Sequence, residues 1–207
     1  MIEQSIPRRD FLEGAVKAAI LVPMLGLSSL SCGRKAVASK VEGEVPWRIT
    51  IVNENEPGEP LIVSGKIYSS DGRFALPGIN LYVYHTDATG RYSVTTARDN
   101  RNTRLHGLMR TDAEGRYEFR TIKPAPYPQT RNPSHIHAYV SGPGYPEYWI
   151  DEYLFADDPF VKDETRQRFA GQGSFSPILT LTRGTDGILR GIRNIKIERC
   201  SRNCTGN

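Results

Sequence analysis

The sequence predicts an all-β fold, an antiparallel β-sandwich core with one short helix, carried behind an N-terminal leader. Two observations point there. Short runs rich in β-branched and aromatic residues alternate in polarity, and turns containing Gly or Asp punctuate them at the spacing of a sandwich. No internal repeat or heptad competes with that pattern. The 207 residues are enough for one sizeable core plus a leader and too few for two large domains.

In chain order, residues 47–52 alternate and are β-branched, which gives the first strand. Residues 61–68 (LIVSGKIY) give the second, closed by the turn Ser69-Ser70-Asp71-Gly72. Residues 79–85 (INLYVYH) alternate again and end at Asp87-Ala88-Thr89-Gly90. Glu114-Gly115 leads into a strand at 117–122 (YEFRTI), and strands at 135–141 (HIHAYVS), 178–182 and 192–197 complete the set. One helix is expected over 159–169, with Asp158 as N-cap and Pro159 at the first helical position. The sandwich then occupies 46–199, and 200–207 form a C-terminal tail.

Residues 1–32 have the layout of an export signal. Arg8-Arg9-Asp10-Phe11-Leu12 is followed by a short apolar stretch at 18–27, broken by Pro23, and by small residues up to Cys32. This leader resembles a twin-arginine signal, which implies a mature protein exported to the periplasm or cell envelope. Ser29-Leu30-Ser31-Cys32-Gly33 resembles a lipobox with Cys32 as the lipid-modified residue, and 33–45 then form a small, polar tether. If Cys200 and Cys204 pair, Cys32 is the odd one of three cysteines. No apolar run approaches the roughly 20 residues of a membrane-spanning helix, so membrane attachment is expected only through Cys32. The 27 Lys+Arg are interleaved with 23 Asp+Glu rather than gathered in a stripe, which argues against a nucleic-acid binder.

Chemistry is concentrated in a few residues. His135 and His137 stand at i and i+2 in a strand-like run, so both imidazoles project from one face about 7 Å apart, a half-site for a metal. A solvated pair on an exposed strand fits the same pattern. Cys200 and Cys204 lie too far along the chain to suit a zinc site with these two, and no acid precedes His135 closely. Tyrosines are abundant, ten in all. Tyr127 lies between Pro126 and Pro128, which fix its backbone, and Tyr92 follows the turn Thr89-Gly90-Arg91. A phenolate suits a trivalent cation, but a phenol with a pKa near 10 must lose its proton to serve. Taken singly, each tyrosine also fits an aromatic packing a rim. His106 is expected in a turn or supporting a metal site, and His85 packs or faces solvent at a strand end.

At these residues the sequence resembles the intradiol ring-cleavage dioxygenases, the family of protocatechuate 3,4-dioxygenase and catechol 1,2-dioxygenase. The matching stretches are YVYHTDATGRYS, TDAEGRYEFRTIKPAPYP, NPSHIHAYV and EYLFADDP, in the family's order. The resemblance implies a β-sandwich and non-haem iron(III) held by Tyr92, Tyr127, His135 and His137. The substrates it implies are a small aromatic diol and O2, and a homo-oligomer is compatible with it. Tyr127 resembles the tyrosinate that substrate displaces and that takes a proton as general base. Two departures stand out. Asn132 occupies the place of the family's usual Arg, with Arg131 one position earlier as its expected replacement. Glu152 stands where Gln is common, so Arg131 and Glu152 join Tyr127 as expected catalytic residues. The departures leave open a relative that binds iron without turnover. A metal-free module of the transthyretin-like or carboxypeptidase-regulatory-like kind shares the strand and turn rhythm but has no need of the four ligands together.

Overall fold

Period-two alternation of buried side chains decides the architecture. In β2 (Pro60–Ser69) Leu61, Val63 and Ile67 are fully buried, and in β5 (Arg116–Ile122) Tyr117, Phe119 and Thr121 are. They face Leu81 and Val83 of β3 (Asn80–His85) and Ile136, Ala138 and Val140 of β6 (His135–Gly142) across a shared apolar core. The computed structural model describes residues 44–93, 101 and 103–199. The leader with Cys32, nearly all of the tether, and the tail with Cys200 and Cys204 lie outside the described residues.

Two six-stranded sheets form the sandwich. The first runs β1 (Arg48–Thr50), β5, β2, β11 (Leu189–Ile192), β10 (Thr182–Arg183), with β12 (Ile195–Ile197) also on β2. The second runs β4 (His106–Arg110), β3, β6, β8 (Tyr153–Phe155), β9 (Ile178–Leu179), with β7 (Tyr145–Trp149) also on β6. The central pairings β2–β5, β3–β4 and β3–β6 are antiparallel as expected. Four others, β1–β5, β11–β2, β12–β2 and β8–β9, run parallel.

Several elements differ from the sequence expectation. His106 opens β4 instead of sitting in a turn, and β7 and β8 are additional strands; all three are short, and Gly107 and Pro146 blur their alternation. The run at 178–182 divides between sheets, β9 joining the second and β10 the first. Ile192 ends β11, and the final strand starts at Ile195. The helix is shorter too: α1 spans Asp163–Arg168 and starts from Lys162. Asp158 is not its cap, because its carboxylate is committed elsewhere. Oδ1 accepts from the Phe160 N–H at 2.8 Å, and Oδ2 accepts from the Ser134 N–H at 2.7 Å. Pro159 therefore lies in a turn, and Arg166 fastens that turn by donating to the carbonyls of Ala156, Asp158 and Val161.

His85 closes β3 inside the core, fully buried. Nδ1–H donates to the Thr86 carbonyl and Nε2 accepts from the Thr121 hydroxyl, each at 2.7 Å. Burial pushes its pKa down to about 4 from the usual 6.5. Above pH 6.5 both folded and unfolded chains keep this ring neutral. As pH falls from 6.5 to 4 the unfolded chain gains a proton that the folded chain refuses, so stability drops. Denaturant unfolding across that window should show a loss about 3 kcal/mol larger for the parent than for His85→Asn. Identical pH profiles would contradict this account of the core.

Candidate metal centre

The face of the second sheet turned away from the core carries the aromatic and imidazole side chains. Tyr82 and Tyr84 alternate with the core residues of β3, as His135, His137 and Tyr139 do in β6. Register places Tyr84 opposite His137 and Tyr82 opposite Tyr139. The Tyr84 ring stacks on His137 at 4.6 Å, and Trp149 of β7 meets His137 edge-on at 5.3 Å while packing on Tyr139 at 4.1 Å. The two histidines thus leave a rigid strand with their rings already held between aromatic neighbours.

The tyrosines come from two loops stitched to each other. Thr86 Oγ1 donates to the Ala125 carbonyl at 2.8 Å, and the Ala125 N–H donates to Asp87 O at 3.1 Å. Asp87 Oδ1 accepts from the N–H groups of Thr89 and Arg91 and from the Thr89 hydroxyl, which shapes the turn before Tyr92. Gly90 lies at φ 76°, and a Cβ there would stand 2.0 Å from the Pro126 carbonyl oxygen. Glycine is required at that contact. It lets the turn before Tyr92 lie against the proline-flanked segment of Tyr127.

The result is a cluster of four donor atoms. Tyr92 Oη lies 2.6 Å from Tyr127 Oη and 2.9 Å from His137 Nε2. His135 Nε2 lies 3.2 Å from both Tyr127 Oη and His137 Nε2, and Tyr127 Oη lies 3.3 Å from His137 Nε2. Donors bound to one first-row cation at about 2.0–2.1 Å stand about 2.8–3.4 Å apart, so the set fits a single ion. The outer ring nitrogens fix the tautomers. His135 Nδ1–H donates to the Pro133 carbonyl at 2.7 Å. His137 Nδ1 has Glu152 Oε1 at 2.8 Å, off the N–H axis, and no other described polar group hydrogen-bonds it. Both rings therefore keep the proton on Nδ1 and aim Nε2 lone pairs at the phenols.

Burial pushes both phenols above their ordinary value, and in Tyr92 the hydrogen bond to Tyr127 adds to the effect. Without a metal the two phenols are protonated: Tyr92 donates to Tyr127, and Tyr127 donates to one of the two imidazole lone pairs. A cation that replaces both protons has to be strongly Lewis acidic, which favours a trivalent ion. Glu152 groups with His135 and His137 as a possible metal-holding trio. Its carboxylate, however, touches the outer nitrogen of His137, so it supports a ligand instead of completing a set with both Nε2 atoms. Burial alone would raise the Glu152 pKa, but the contact with His137 outweighs it and holds the carboxyl below the usual carboxylate value.

Arg131 is exposed, and no hydrogen bond or ion pair ties it down among the described residues. The neighbouring backbone is unusual, with Gln129 at φ 63° and the Tyr127 carbonyl accepting from both the N–H and the hydroxyl of Thr130. His85 and His106 lie outside the donor cluster. Sequence reasoning missed the clamp that aligns the ligand-bearing segments. Ser134, directly before His135, donates its N–H to buried Asp158 and its hydroxyl to the Pro124 carbonyl on the Tyr127 segment. The adjacent acids in EYLFADDP were the available signal.

A family model described as a dioxygenase matches residues 47–176. The chain belongs to the intradiol dioxygenase family. It is 28% identical over 163 residues to catechol 1,2-dioxygenase 2 of Acinetobacter lwoffii, covering 71% of this chain and 53% of that protein. It is 31% identical over 120 residues to the protocatechuate 3,4-dioxygenase beta chain of Burkholderia cepacia, covering 53% and 51%. The chain spans about half the length of those curated relatives. The fold matches the dioxygenase domain of a dioxygenase carbohydrate-binding protein fusion from Streptomyces sp. SirexAA-E with a TM-score of 0.56. The identity is 22%, over 79% of this chain and 96% of that one.

The Gly90 contact gives a test of how the donors are assembled. Gly90→Ala should destabilise the protein by about 1–3 kcal/mol through the positive φ and the Pro126 clash. It should also lower the metal bound per chain by separating Tyr92 from Tyr127. A melting temperature and metal content equal to the parent's would contradict that assembly.

Proposed function

We propose that the chain is a non-haem iron(III) intradiol dioxygenase that opens a catechol-type aromatic diol with O2 to a muconate-type diacid. The observation that carries this reading is the convergence of Tyr92, Tyr127, His135 and His137 on one point with both imidazole tautomers fixed. Iron(III), when bound, supplies the Lewis acidity that takes up the diol as a dianion and makes its ring reactive toward O2. The chain's own residues do the rest. Tyr92, His135 and His137 hold the ion on rigid supports. Tyr127, on the loop 127–134, would be the fourth ligand, and its phenol oxygen is the group placed to accept a diol proton. Tyr84 and Trp149 wall the site with aromatic surface. Both atoms of O2 enter the product as the bond between the hydroxyl-bearing carbons breaks, so no external reductant is consumed. The leader's resemblance to a twin-arginine signal supports an exported enzyme acting outside the cytoplasm, with Cys32 its lipid anchor.

Arg131 is the cation free to reach substrate where the family's usual Arg is replaced by Asn132. Glu152 sets charge. Two phenolates would leave a bound iron(III) with one net positive charge, which the carboxylate beside His137 would offset while making that ring a stronger donor.

Three measurements test this reading. The purified protein supplied with iron(III) should bind one ion per chain, absorb visible light through tyrosinate-to-metal charge transfer, and consume O2 when catechol is added. A colourless protein that takes up no iron(III) contradicts it, and a coloured one that consumes no O2 makes the chain an inactive iron-binding relative. Arg131→Ala should lower kcat/KM about tenfold, and equal turnover would remove Arg131 from the mechanism. Glu152→Gln should move the visible band to longer wavelength, because a less electron-rich His137 leaves the metal more acidic. An unmoved band would limit Glu152 to a structural part.

A further inference from the structure

Outside the metal centre, the chain buries a cation that has no counter-ion among the described residues. Arg193, between β11 and β12, is 4% exposed, and its Nε and Nη1 have no hydrogen-bond partner. Its backbone is firmly placed. The Arg193 N–H donates to Ser64 O at 2.9 Å, and its carbonyl accepts from Tyr117 Oη at 2.7 Å. That carbonyl lies so close over Gly65 that a Cβ there would stand 1.7 Å from it. The guanidinium lies over the Tyr153 ring at 4.3 Å, a cation–π contact that offsets only part of the cost of desolvating it.

Arg193 lines a cleft of about 860 Å³, a size common for small-molecule sites. Tyr148, Trp149 and Phe175 are among the residues that line it, and Lys196 adds a second cation over Phe175 at 4.5 Å. Asp151 and Glu198 also line it, but both are exposed to solvent, where water screens them. They disfavour a dianion more than a singly charged ligand. None of the four candidate metal ligands lines this cleft.

We infer that the cleft is a binding site for an aromatic monocarboxylate, whose carboxylate accepts from Arg193 Nη2, the guanidinium nitrogen that keeps accessible surface, while its ring packs on the aromatic residues of the walls. The site does not depend on iron, so it stands or falls apart from the dioxygenase reading.

Benzoate is the probe, titrated calorimetrically into the full-length protein with and without iron(III). Binding of one benzoate per chain is expected in both forms, with no change in the visible spectrum of the iron form. Acetate and benzamide should each bind at least tenfold more weakly, since each lacks one half of the match. Arg193→Met should fold and melt at or above the parent temperature, because it removes an unpaired buried charge, and should weaken benzoate at least tenfold. Lys196→Met, a variant at the exposed wall, should weaken it by a smaller factor and covers the case in which Arg193→Met fails to fold. No benzoate binding, binding unaltered in both variants, or benzoate that perturbs the iron spectrum would overturn the inference.

Discussion

Two imidazole lone pairs aimed at one point from 3.2 Å apart repel unless something positive stands between them. The local arrangement around the site serves that convergence. Alternate positions on β6 place both rings on one face, the Pro133 carbonyl and Glu152 hold the protons on the outer nitrogens, and Tyr84 and Trp149 fix the ring planes. The phenol protons, Tyr92 donating to Tyr127 and Tyr127 to an imidazole, relieve part of the repulsion in the absence of metal. Because burial makes those phenols weak acids, only a strongly polarising cation can take the protons' place.

Keeping four donors within hydrogen-bond distance also constrains distant segments. The turn before Tyr92 must lie against the Tyr127 segment, which is why Gly90 carries no side chain. The Tyr127 segment must in turn be held to the first residue of β6, and Ser134 does this through its hydroxyl on Pro124 and its N–H on Asp158. Arg166 then fastens the Asp158 turn to the start of α1. A carboxylate twenty-four residues beyond Ser134 in sequence thus sets the entry angle of the strand that carries both histidines.

The β-sandwich was legible from alternation alone in β2, β3, β5 and β6, because each has one face in the core and enough length to show the period. β8, β9 and β10 have two or three residues each, too few for a period, and their place depends on pairings with strands far along the chain. Parallel pairing of β11 and β12 on β2 is equally a matter of tertiary contact. The four donor residues were legible as a set through their resemblance to a family, whereas His-x-His alone was ambiguous. Asp158 was misplaced because Asp before Pro satisfies a helix-capping pattern, and nothing local reveals that its carboxylate serves Ser134. The unpaired state of Arg193 could not be read from sequence, since a buried cation usually has a partner somewhere in the fold.

The most direct test of the four-donor centre is an anomalous-difference map at the iron edge from crystals of the protein loaded with iron(III). A single peak within bonding distance of Tyr92 Oη, Tyr127 Oη, His135 Nε2 and His137 Nε2, with Glu152 still on the outer nitrogen of His137, is the expected result. A peak coordinated by the Glu152 carboxylate, or lying away from the two phenol oxygens, would contradict it.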